Sequence, residues 1–282
     1  MTNDSNPGID GDNYWLTAEQ IAAYHRDGYV VLDDVVTEEE LSSFESLYDE
    51  FISGNVEGMG RDFCDMSGPY DRAFENFQLV NAVLPRKYRP ELQNNVFERR
   101  AESIARQLIG DEIALDYDQF LAKRPKKSGA AFAWHQDLGY WPTGSPDTVT
   151  TTCSLALDDA DEENGCLQVV PRSHLEDELR PHRPMLMKDD GDKGDREESH
   201  ALTVDLTPDD KIVHLPVKRG SVSVHNERIV HGSGGNRSER WRRTYIVAHR
   251  SRKTVDYERS IGFTHSHNDK INWTTHLDSL KD

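Results

Sequence analysis

The stretch Phe132-Ala133-Trp134-His135-Gln136-Asp137 decides the predicted fold of this 282-residue chain. In a β-strand, successive side chains point to opposite faces, so residues two apart share a face. His135 and Asp137 would then project together, whereas Gln136 would turn away. The apolar residues before His135 suit a strand that enters a core. The stretch therefore predicts a strand that presents an imidazole and a carboxylate side by side.

A second segment, later in the chain, offers complementary groups. It reads His231-Gly232-Ser233-Gly234-Gly235-Asn236-Arg237-Ser238-Glu239-Arg240-Trp241-Arg242. Ile229-Val230-His231 is typical of an apolar strand end that stops at a glycine-rich turn, and the run after Trp241 is rich in β-forming residues. A strand, a loop and a returning strand would bring Arg242 back alongside His231.

These residue types indicate a metal and a carboxylate ligand. Two histidines and one carboxylate that leave open positions are the ligand set of non-haem Fe(II) oxygenases, and an arginine can hold a carboxylate through two parallel hydrogen bonds. His135, Asp137 and His231 form such a set, and Arg242 supplies the guanidinium. Two alternatives stay open: His225 could replace His231, and Arg243 could replace Arg242.

The chain resembles the phytanoyl-CoA dioxygenase-like family of Fe(II)/2-oxoglutarate-dependent oxygenases. Three stretches, which together span most of residues 16–250, carry the resemblance. They are residues 16–41 with Asp27-Gly28-Tyr29-Val30-Val31-Leu32, the Trp134–Asp137 motif followed by Gly165-Cys166-Leu167-Gln168-Val169-Val170-Pro171-Arg172-Ser173-His174, and the segment from His231 to Arg242. A lone His-x-Asp motif is weak, but the three stretches in this order are specific.

The resemblance implies roles for individual residues. Fe(II) would be bound by His135, Asp137 and His231, and Arg242 would anchor the C5 carboxylate of 2-oxoglutarate, with O2 as the other co-substrate. Weaker candidates for contacts around the metal or the co-substrate are Gln136, Thr151 and Tyr117. Relatives that halogenate lack the carboxylate, so the presence of Asp137 favours hydroxylation.

The aromatic residues near the motif bear on the substrate. Trp134, Tyr140 and Trp141 are candidates for substrate contact, because aromatic rings can enclose an ammonium group. We expect hydroxylation of an unactivated C–H bond in a small polar metabolite, including zwitterions of the amino acid, betaine or aminophosphonate type, with release of succinate and CO2. The alternatives are an acyl-CoA substrate, or a metal-binding barrel protein that does not use 2-oxoglutarate. His265-Ser266-His267 is predicted to lie at the surface or at the rim of a pocket.

Composition narrows the class of protein. The chain carries 33 basic and 51 acidic residues, a net charge of −18, which argues against binding to nucleic acid or anionic membranes. It has no apolar run of transmembrane length and no visible secretory signal. Its three cysteines, Cys64, Cys153 and Cys166, have no metal-binding spacing, so we expect reduced thiols and a cytoplasmic location.

The predicted organisation is a disordered tail over residues 1–15 and one oxygenase domain over 16–282. Helices that start at Thr17 and Thr37, each with a capping box, and a helix over about 88–109 make up a helical part, 16–110. A jelly-roll core, about 111–250, and a C-terminal cover, 251–282, follow. The charged loop 188–198 is predicted to lie at the surface and is a candidate lid.

Short strands joined by turn residues determine the predicted fold class. The candidate strands are 113–123, 130–136, 149–157, 166–170, 202–205, 212–215, 220–225, 228–231 and 242–250. Such strands, separated by Gly, Pro, Asn and Asp, favour a double-sheet architecture. The prediction is a mainly β protein with flanking helices and a double-stranded β-helix (jelly-roll) core.

Overall fold

The computed structural model describes residues 7–142, 144–185 and 201–271. These residues form mostly strands with some helices, as the sequence predicts. The strands are β1 (Gly8–Asp10), β2 (Asn13–Trp15), β3 (Tyr29–Leu32), β4 (Phe63–Asp65), β5 (Leu79–Val83), β6 (Ile113–Lys123), β7 (Phe132–His135), β8 (Thr150–Ala156), β9 (Leu167–Val169), β10 (Arg183–Pro184), β11 (Leu202–Thr203), β12 (Val213–Leu215), β13 (Val222–His225), β14 (His231–Ser233) and β15 (Arg242–Ser251). The α-helices are α1 (Ala18–Asp27), α2 (Glu38–Ile52), α3 (Pro85–Tyr88), α4 (Val96–Ile109) and α5 (Arg252–Ser260).

The larger sheet has seven strands in the order β3-β13-β8-β15-β6-β5-β4, and every neighbouring pair is antiparallel. One face of this sheet packs against α2 and α4. Phe51 of α2 makes an edge-to-face contact with Phe120 of β6, and Phe97 of α4 makes one with Tyr245 of β15. This face therefore forms the main apolar core, and the alternate residues of the same strands are left for the opposite face.

The smaller sheet has four strands in the order β12-β9-β14-β7. In it, His231 lies directly opposite His135 on one side and opposite Val169 on the other. Residues from both sheets line one cavity, including Thr152 and Thr244 from the larger sheet and His231 from the smaller. The two sheets therefore face each other across this cavity.

Capping boxes begin α1 and α2, and both predictions are confirmed. The Thr17 hydroxyl accepts from the Gln20 backbone N–H, and the Gln20 side chain accepts from the Thr17 backbone N–H. Thr37 and Glu40 make the same reciprocal pair at the start of α2. Each box satisfies two backbone donors that the first helical turn leaves without partners.

The helix predicted over 88–109 is wrong at its beginning. Helix α4 begins at Val96, where the side chain of Asn95 accepts from the Glu98 backbone N–H. Before it, Pro90 opens a separate 3-10 turn and Asn94 has a left-handed backbone with φ of 59°. These two residues prevent one continuous helix, because neither conformation fits a helix interior.

The predicted disordered tail is wrong for residues 8–15, which form the hairpin of β1 and β2. The buried Arg100 guanidinium donates two hydrogen bonds to the carbonyl oxygen of Gly11, at 3.1 and 2.9 Å, and so ties the hairpin to α4. The polar composition of the segment does not reveal this contact, because its partner lies far away in the sequence.

Other boundaries also differ from the predictions. The loop predicted over 54–71 contains β4, and β5 was not predicted. The strand predicted over 228–231 begins only at His231 and continues to Ser233. Helix α5 lies within the predicted C-terminal cover. The candidate lid 188–198 lies outside the described residues. None of the described helices has the length and apolar character needed to span a membrane.

The ion pair between Glu40 and Arg100 generates a prediction about stability and pH. The two hydrogen bonds from Arg100, at 2.6 and 2.7 Å, lower the pKa of Glu40 to about 2. We expect Glu40→Gln to reduce the free energy of unfolding by about 1–3 kcal/mol at pH 7, as measured by urea titration. Because the pKa is lower in the folded state, this contribution is complete above the unfolded pKa, about 4.3, and is lost as the pH falls toward 2.

The matched control is Glu39→Gln, which changes an exposed neighbour on the same helical turn. It should alter the free energy of unfolding by less than about 0.5 kcal/mol. A difference between the two variants that stays constant from pH 7 to pH 3 would contradict the assignment to the Glu40 carboxylate.

Candidate metal and co-substrate site

Two histidines from neighbouring strands form the first half of the site. His135 ends β7 and His231 begins β14, and their ring centroids lie 4.2 Å apart. Each Nδ1 lies close to the backbone carbonyl oxygen two residues earlier, that of Ala133 at 2.7 Å and that of Ile229 at 3.0 Å. Since a carbonyl oxygen only accepts, each Nδ1 carries a proton. In the neutral rings, Nε2 therefore presents a lone pair.

The carboxylate of Asp137 completes the cluster. Its Oδ1 lies 3.1 Å from His135 Nε2 and 3.5 Å from His231 Nε2. Burial lowers the pKa of His231 to about 3, which keeps this ring neutral. Burial raises the pKa of Asp137, but the imidazoles of His231, His135 and His225 outweigh it, and the pKa lies well below its ordinary value.

The donor set fits a divalent cation. One ligand atom from each of His135, Asp137 and His231 lies within 4.8 Å of the other two, and all three residues are mostly shielded from solvent. Facing lone pairs and an ionised carboxylate repel one another unless a cation lies between them. Two imidazoles and one carboxylate that leave open positions are suited to Fe(II).

The local backbone differs from the prediction that His135 and Asp137 share one strand. Strand β7 ends at His135, and Asp137 begins a 3-10 turn that runs to Tyr140. Gln136 between them is still extended, with φ of −119° and ψ of 129°. The alternation of side chains therefore continues for one residue beyond the strand, and both ligands point the same way.

His225 is a third histidine that contacts Asp137. Its Nε2 lies 3.1 Å from Asp137 Oδ2, the carboxylate oxygen that does not contact His135. The sequence left His225 open as a replacement for His231, and the structure brings both to Asp137. His231 belongs to the group of three convergent ligand atoms, whereas His225 contacts the outer carboxylate oxygen. This arrangement favours His231 as the ligand and His225 as a residue that orients Asp137.

Arg242 lies in the same cavity as the cluster. It begins β15 opposite Lys123, and only 8% of its surface is exposed. Among the described residues, no hydrogen bond or ion pair involves its guanidinium, and its Nε is buried without a partner. An uncompensated buried charge costs several kcal/mol, so this position fits an anionic ligand such as a carboxylate.

The neighbouring Arg243 has a different environment. Its guanidinium pairs with Asp158 at 2.9 Å, with Glu45 at 2.6 Å and with Asp49 at 2.9 Å. Adjacent residues on a strand face opposite sides, so only one of the two arginines can reach the cavity. That residue is Arg242.

Two of the weaker co-substrate candidates do not reach this cavity. Gln136 donates to the Arg228 carbonyl oxygen at 2.6 Å and accepts from the Arg180 backbone N–H at 2.8 Å, so it fastens a neighbouring loop. Thr151 lies on the opposite face of β8 from the cavity-lining Thr152 and Ser154. The structure therefore does not bring Gln136 or Thr151 into the cavity that contains Arg242, because the alternation of side chains directs both elsewhere.

Some of the aromatic residues proposed from the sequence line a cavity beside the cluster, and one does not. Tyr117, Tyr140 and Trp141 line a second cavity, which also includes His135 and Asp137. We call it the substrate-side cavity, and the one that contains Arg242 the co-substrate-side cavity. Tyr117 lines both. Trp134 lies on the outer face of β7 and packs against Val170, Val204 and Val230. The structure therefore does not bring Trp134 to the wall of the substrate-side cavity.

Sequence reasoning missed several residues of the substrate-side cavity. Asn81 and Gln119 lie in its wall, and the Gln119 amide donates to the Asn81 side-chain oxygen. Gln119 could have been found from Tyr117, since residues two apart on β6 share a face. His265, Ser266 and His267 also line this cavity, so the expected position at a pocket rim is close to the observed one.

Two glycines allow the turn between β14 and β15 to close. Gly165 has a left-handed φ of 78°, and a Cβ there would overlap the carbonyl oxygen of Gly234. A Cβ at Gly235 would overlap the carbonyl oxygen of Ser128. The close backbone packing therefore requires glycine at positions 165 and 235, and the turn then leads back to Arg242.

Comparison with known proteins establishes the family. The sequence model described as Phytanoyl-CoA dioxygenase (PhyH) matches residues 24–244, more than half of the chain. The chain belongs to this family. The match contains the cluster residues His135, Asp137 and His231 as well as Arg242.

Individual relatives agree with the family assignment. The chain is 29% identical over 167 residues to an ectoine dioxygenase of Bordetella bronchiseptica, a match that covers 56% of this chain and 50% of that protein. The chain thus spans about half the length of this relative. It is 24% identical over 235 residues to peroxisomal phytanoyl-CoA dioxygenase of Rattus norvegicus, which covers 82% of this chain and 68% of that protein.

A solved structure shares the fold. The crystal structure of EvdO2 from Micromonospora carbonacea var. aurantiaca matches with a TM-score of 0.68 and 26% identity, over 84% of this chain and 91% of that chain. The structure of the same protein complexed with 2-oxoglutarate matches with a TM-score of 0.63 and 25% identity, over the same shares of the two chains.

The convergent ligand atoms of His135, Asp137 and His231 lead to a prediction about metal binding. Fe(II) added without oxygen at about 100 times its dissociation constant should stabilise the protein by about 2.7 kcal/mol. We expect a rise in Tm of about 5–10 °C by calorimetry, because each kcal/mol corresponds to about 2–4 °C in a chain of this size. His231→Ala should abolish the rise.

His214→Ala is the control, because His214 is a partly exposed histidine on β12 and lies outside the cluster. It should keep the full rise in Tm. An equal rise in the His231→Ala variant would show that the stabilising metal binds elsewhere.

Proposed function

We propose that this protein is an Fe(II)- and 2-oxoglutarate-dependent dioxygenase that hydroxylates an unactivated C–H bond of a small polar metabolite, a class that includes zwitterions. One observation carries the proposal: the lone pairs of His135, Asp137 and His231 converge in a cavity that also contains the unpartnered Arg242 guanidinium. A metal and an anionic co-substrate would each satisfy one part of this arrangement.

Each protein group then has a defined task. His135, Asp137 and His231 would hold Fe(II), and the backbone carbonyl oxygens of Ala133 and Ile229 fix the orientation of the two imidazoles. Such contacts behind the ligands keep each Nε2 aimed at the metal. His225 would hold the outer oxygen of Asp137, so that the inner oxygen faces the metal.

The co-substrate-side cavity is suited to 2-oxoglutarate. Arg242 would bind the far carboxylate through its planar fork, which fixes both the position and the rotation of the ligand. Hydroxyl groups line the same cavity and offer further hydrogen bonds; they belong to Thr152, Ser154, Ser223, Ser233 and Thr244. When bound, iron and 2-oxoglutarate supply an O2-dependent oxidation that yields succinate, CO2 and the hydroxylated product.

The substrate-side cavity supports a compact substrate. Its walls are formed by aromatic side chains of Tyr117, Tyr140 and Trp141 together with the Asn81–Gln119 amide pair. Aromatic walls exclude water from the reacting centre, and a few polar groups orient the ligand. A relative named ectoine dioxygenase is consistent with a small polar substrate. We also propose that the two facing sheets form a double-stranded β-helix.

The proposal is tested first without oxygen. Adding Fe(II) and then 2-oxoglutarate should produce the weak visible charge-transfer band of a chelated 2-oxoacid, with saturation. In Arg242→Gln the apparent affinity for 2-oxoglutarate should fall by about 10–100-fold, because one charge-assisted bidentate contact is lost. Spectrophotometric titration measures both quantities.

Arg243→Gln is a matched control, since it changes the adjacent guanidinium that faces Asp158 on the other side of the strand. Its affinity for 2-oxoglutarate should match that of the unchanged protein. Absence of the band at saturating 2-oxoglutarate would refute the proposed co-substrate. Equal weakening in both variants would refute the role of Arg242.

A further inference from the structure

The C-terminal segment contributes a histidine to the wall of the substrate-side cavity. His265 has a left-handed backbone with φ of 68°, which is rare for a residue other than glycine, and it is 7% exposed. Its ring lies on that of Tyr117, with centroids 4.6 Å apart and an interplanar angle of 32°. It also contacts the rings of Trp141 at 4.4 Å and Phe263 at 4.6 Å. Packing therefore holds His265 in one orientation.

Two buried carboxylates contact the same nitrogen of His265. Its Nε2 lies 2.7 Å from Asp116 Oδ2 and 3.5 Å from Glu258 Oε2. Both carboxylates are buried, and in this environment an imidazolium is the form that they favour. Burial by itself lowers the pKa of His265, but Asp116 and then Glu258 outweigh it, and the pKa is raised above its ordinary value.

A metal ion is not needed to balance these carboxylates. Arg259 pairs with Asp116 at 2.6 Å, and Arg250 pairs with Glu258. The three ligand-type groups Asp116, Glu258 and His265 converge, but a guanidinium already pairs with one oxygen of each carboxylate, and the other oxygen of each faces His265 Nε2. The arrangement is therefore an ion-pair network with His265 as its third cation.

The second nitrogen of the ring is left available. His265 Nδ1 has no hydrogen-bond partner among the described residues. In an imidazolium both ring nitrogens carry a proton, so Nδ1 is a charged donor without an acceptor. A buried donor without an acceptor is costly, and the ring lines a cavity that a ligand is expected to enter.

We propose that His265 is a specificity-determining residue that binds an oxyanion of the substrate, a carboxylate or a phosphonate, in the substrate-side cavity. The inference rests on the proposed function, because it assumes that the substrate enters this cavity beside His135 and Asp137. It narrows the substrate class from small polar metabolites to small organic acids.

The surroundings of Trp141 support an anionic rather than a cationic contact at this wall. The Arg250 guanidinium lies over the Trp141 ring, 5.9 Å from its centroid. The His265 ring makes an edge-to-face contact with the same tryptophan. The indole N–H donates to Glu227 at 2.8 Å. The Trp141 ring is therefore already in contact with Arg250 and His265 of the protein itself.

The test uses matched pairs of probes that differ in the oxyanion. Suitable pairs are L-proline with L-prolinamide, glycine betaine with choline, and 2-aminoethylphosphonate with ethanolamine. Each is added without oxygen to the protein loaded with Fe(II) and 2-oxoglutarate, and binding is followed by calorimetry and by perturbation of the charge-transfer band. We expect an oxyanion member to bind at least tenfold more tightly than its partner, and the pair that responds identifies carboxylate or phosphonate.

Two variants test His265 itself. His265→Asn tolerates the left-handed backbone and keeps an N–H donor without the charge, and His265→Gln keeps more of the length. Each should weaken binding of the oxyanion member by about tenfold or more and remove the preference over its partner. His214→Gln, far from this wall on β12, should change neither. Circular dichroism establishes whether each variant is folded.

A measurement that needs no ligand keeps the inference testable if both variants misfold. Nitrogen-15 NMR of histidine-labelled protein should show one buried, doubly protonated ring at neutral pH, assigned to His265 by its loss in either folded variant or by contacts to Trp141.

Four outcomes would overturn the inference. The first is an NMR spectrum in which the His265 ring is neutral. The second is equal affinity for the oxyanion probes and their uncharged or cationic partners, and the third is an unchanged preference for the oxyanion probe in His265→Asn. The fourth is that no oxyanion probe binds although the charge-transfer band with 2-oxoglutarate forms. Absence of the band itself is a different failure, that of the proposed function. The calorimetric comparison of the pairs with the metal-free protein then still tests His265.

Discussion

The antiparallel pairing of His135 with His231 is the constraint on which the rest of the site depends. It brings the two imidazole rings within 4.2 Å of each other, and the carbonyl oxygens of Ala133 and Ile229 accept hydrogen bonds from the two Nδ1–H groups. The inner Nε2 lone pairs then converge with Asp137. A strand pairing shifted by one residue would send one histidine to the opposite face, so register and ligand geometry are set by the same backbone hydrogen bonds.

The same pairing explains much of the sequence around it. Gly232, next to His231, packs against the backbone of β7, where a Cβ would lie 3.1 Å from the Phe132 carbonyl oxygen. The glycines that follow let the chain turn closely and enter β15, where pairing with β6 puts Arg242 opposite Lys123. Arg242 and Arg243 then face opposite sides, one toward the cavity and one toward carboxylates.

Local rules account for the parts that could be predicted from the sequence. Alternation on a strand placed His135 and Asp137 on one side, and capping chemistry located the starts of α1 and α2. These features depend on residues two to four positions apart. The proposed family fold also followed from ordered motifs, although the beginnings and ends of strands and helices shifted by several residues near Pro90 and Asn94.

The remaining features depend on contacts between distant parts of the chain. His225 lies on β13 of the larger sheet and Asp137 follows β7 of the smaller one, so their contact depends on the facing of the two sheets, which no local pattern shows. Thr151 and Thr152 look equivalent in the sequence, and only the pairing partners decide which one faces the cavity. His265 meets Asp116 across 149 residues, after α5 has returned the chain to β6. Spacing alone could not distinguish this histidine from an exposed one.

The two cavities share His135 and Asp137 as well as Tyr117, Gln119 and Phe132, so the cluster lies at the boundary between them. On one side lies Arg242, a planar fork that matches a carboxylate through two parallel bonds and has no hydrogen-bond partner among the described residues. On the other side lies His265, which is paired through Nε2 with Asp116 and, in the proposed role, would offer one N–H from Nδ1. If both ligands are acids, the two ends of the site distinguish them by donor geometry as well as by charge. The buried carboxylates behind His265 are then needed to keep that ring charged, because burial within aromatic rings would otherwise favour its neutral form.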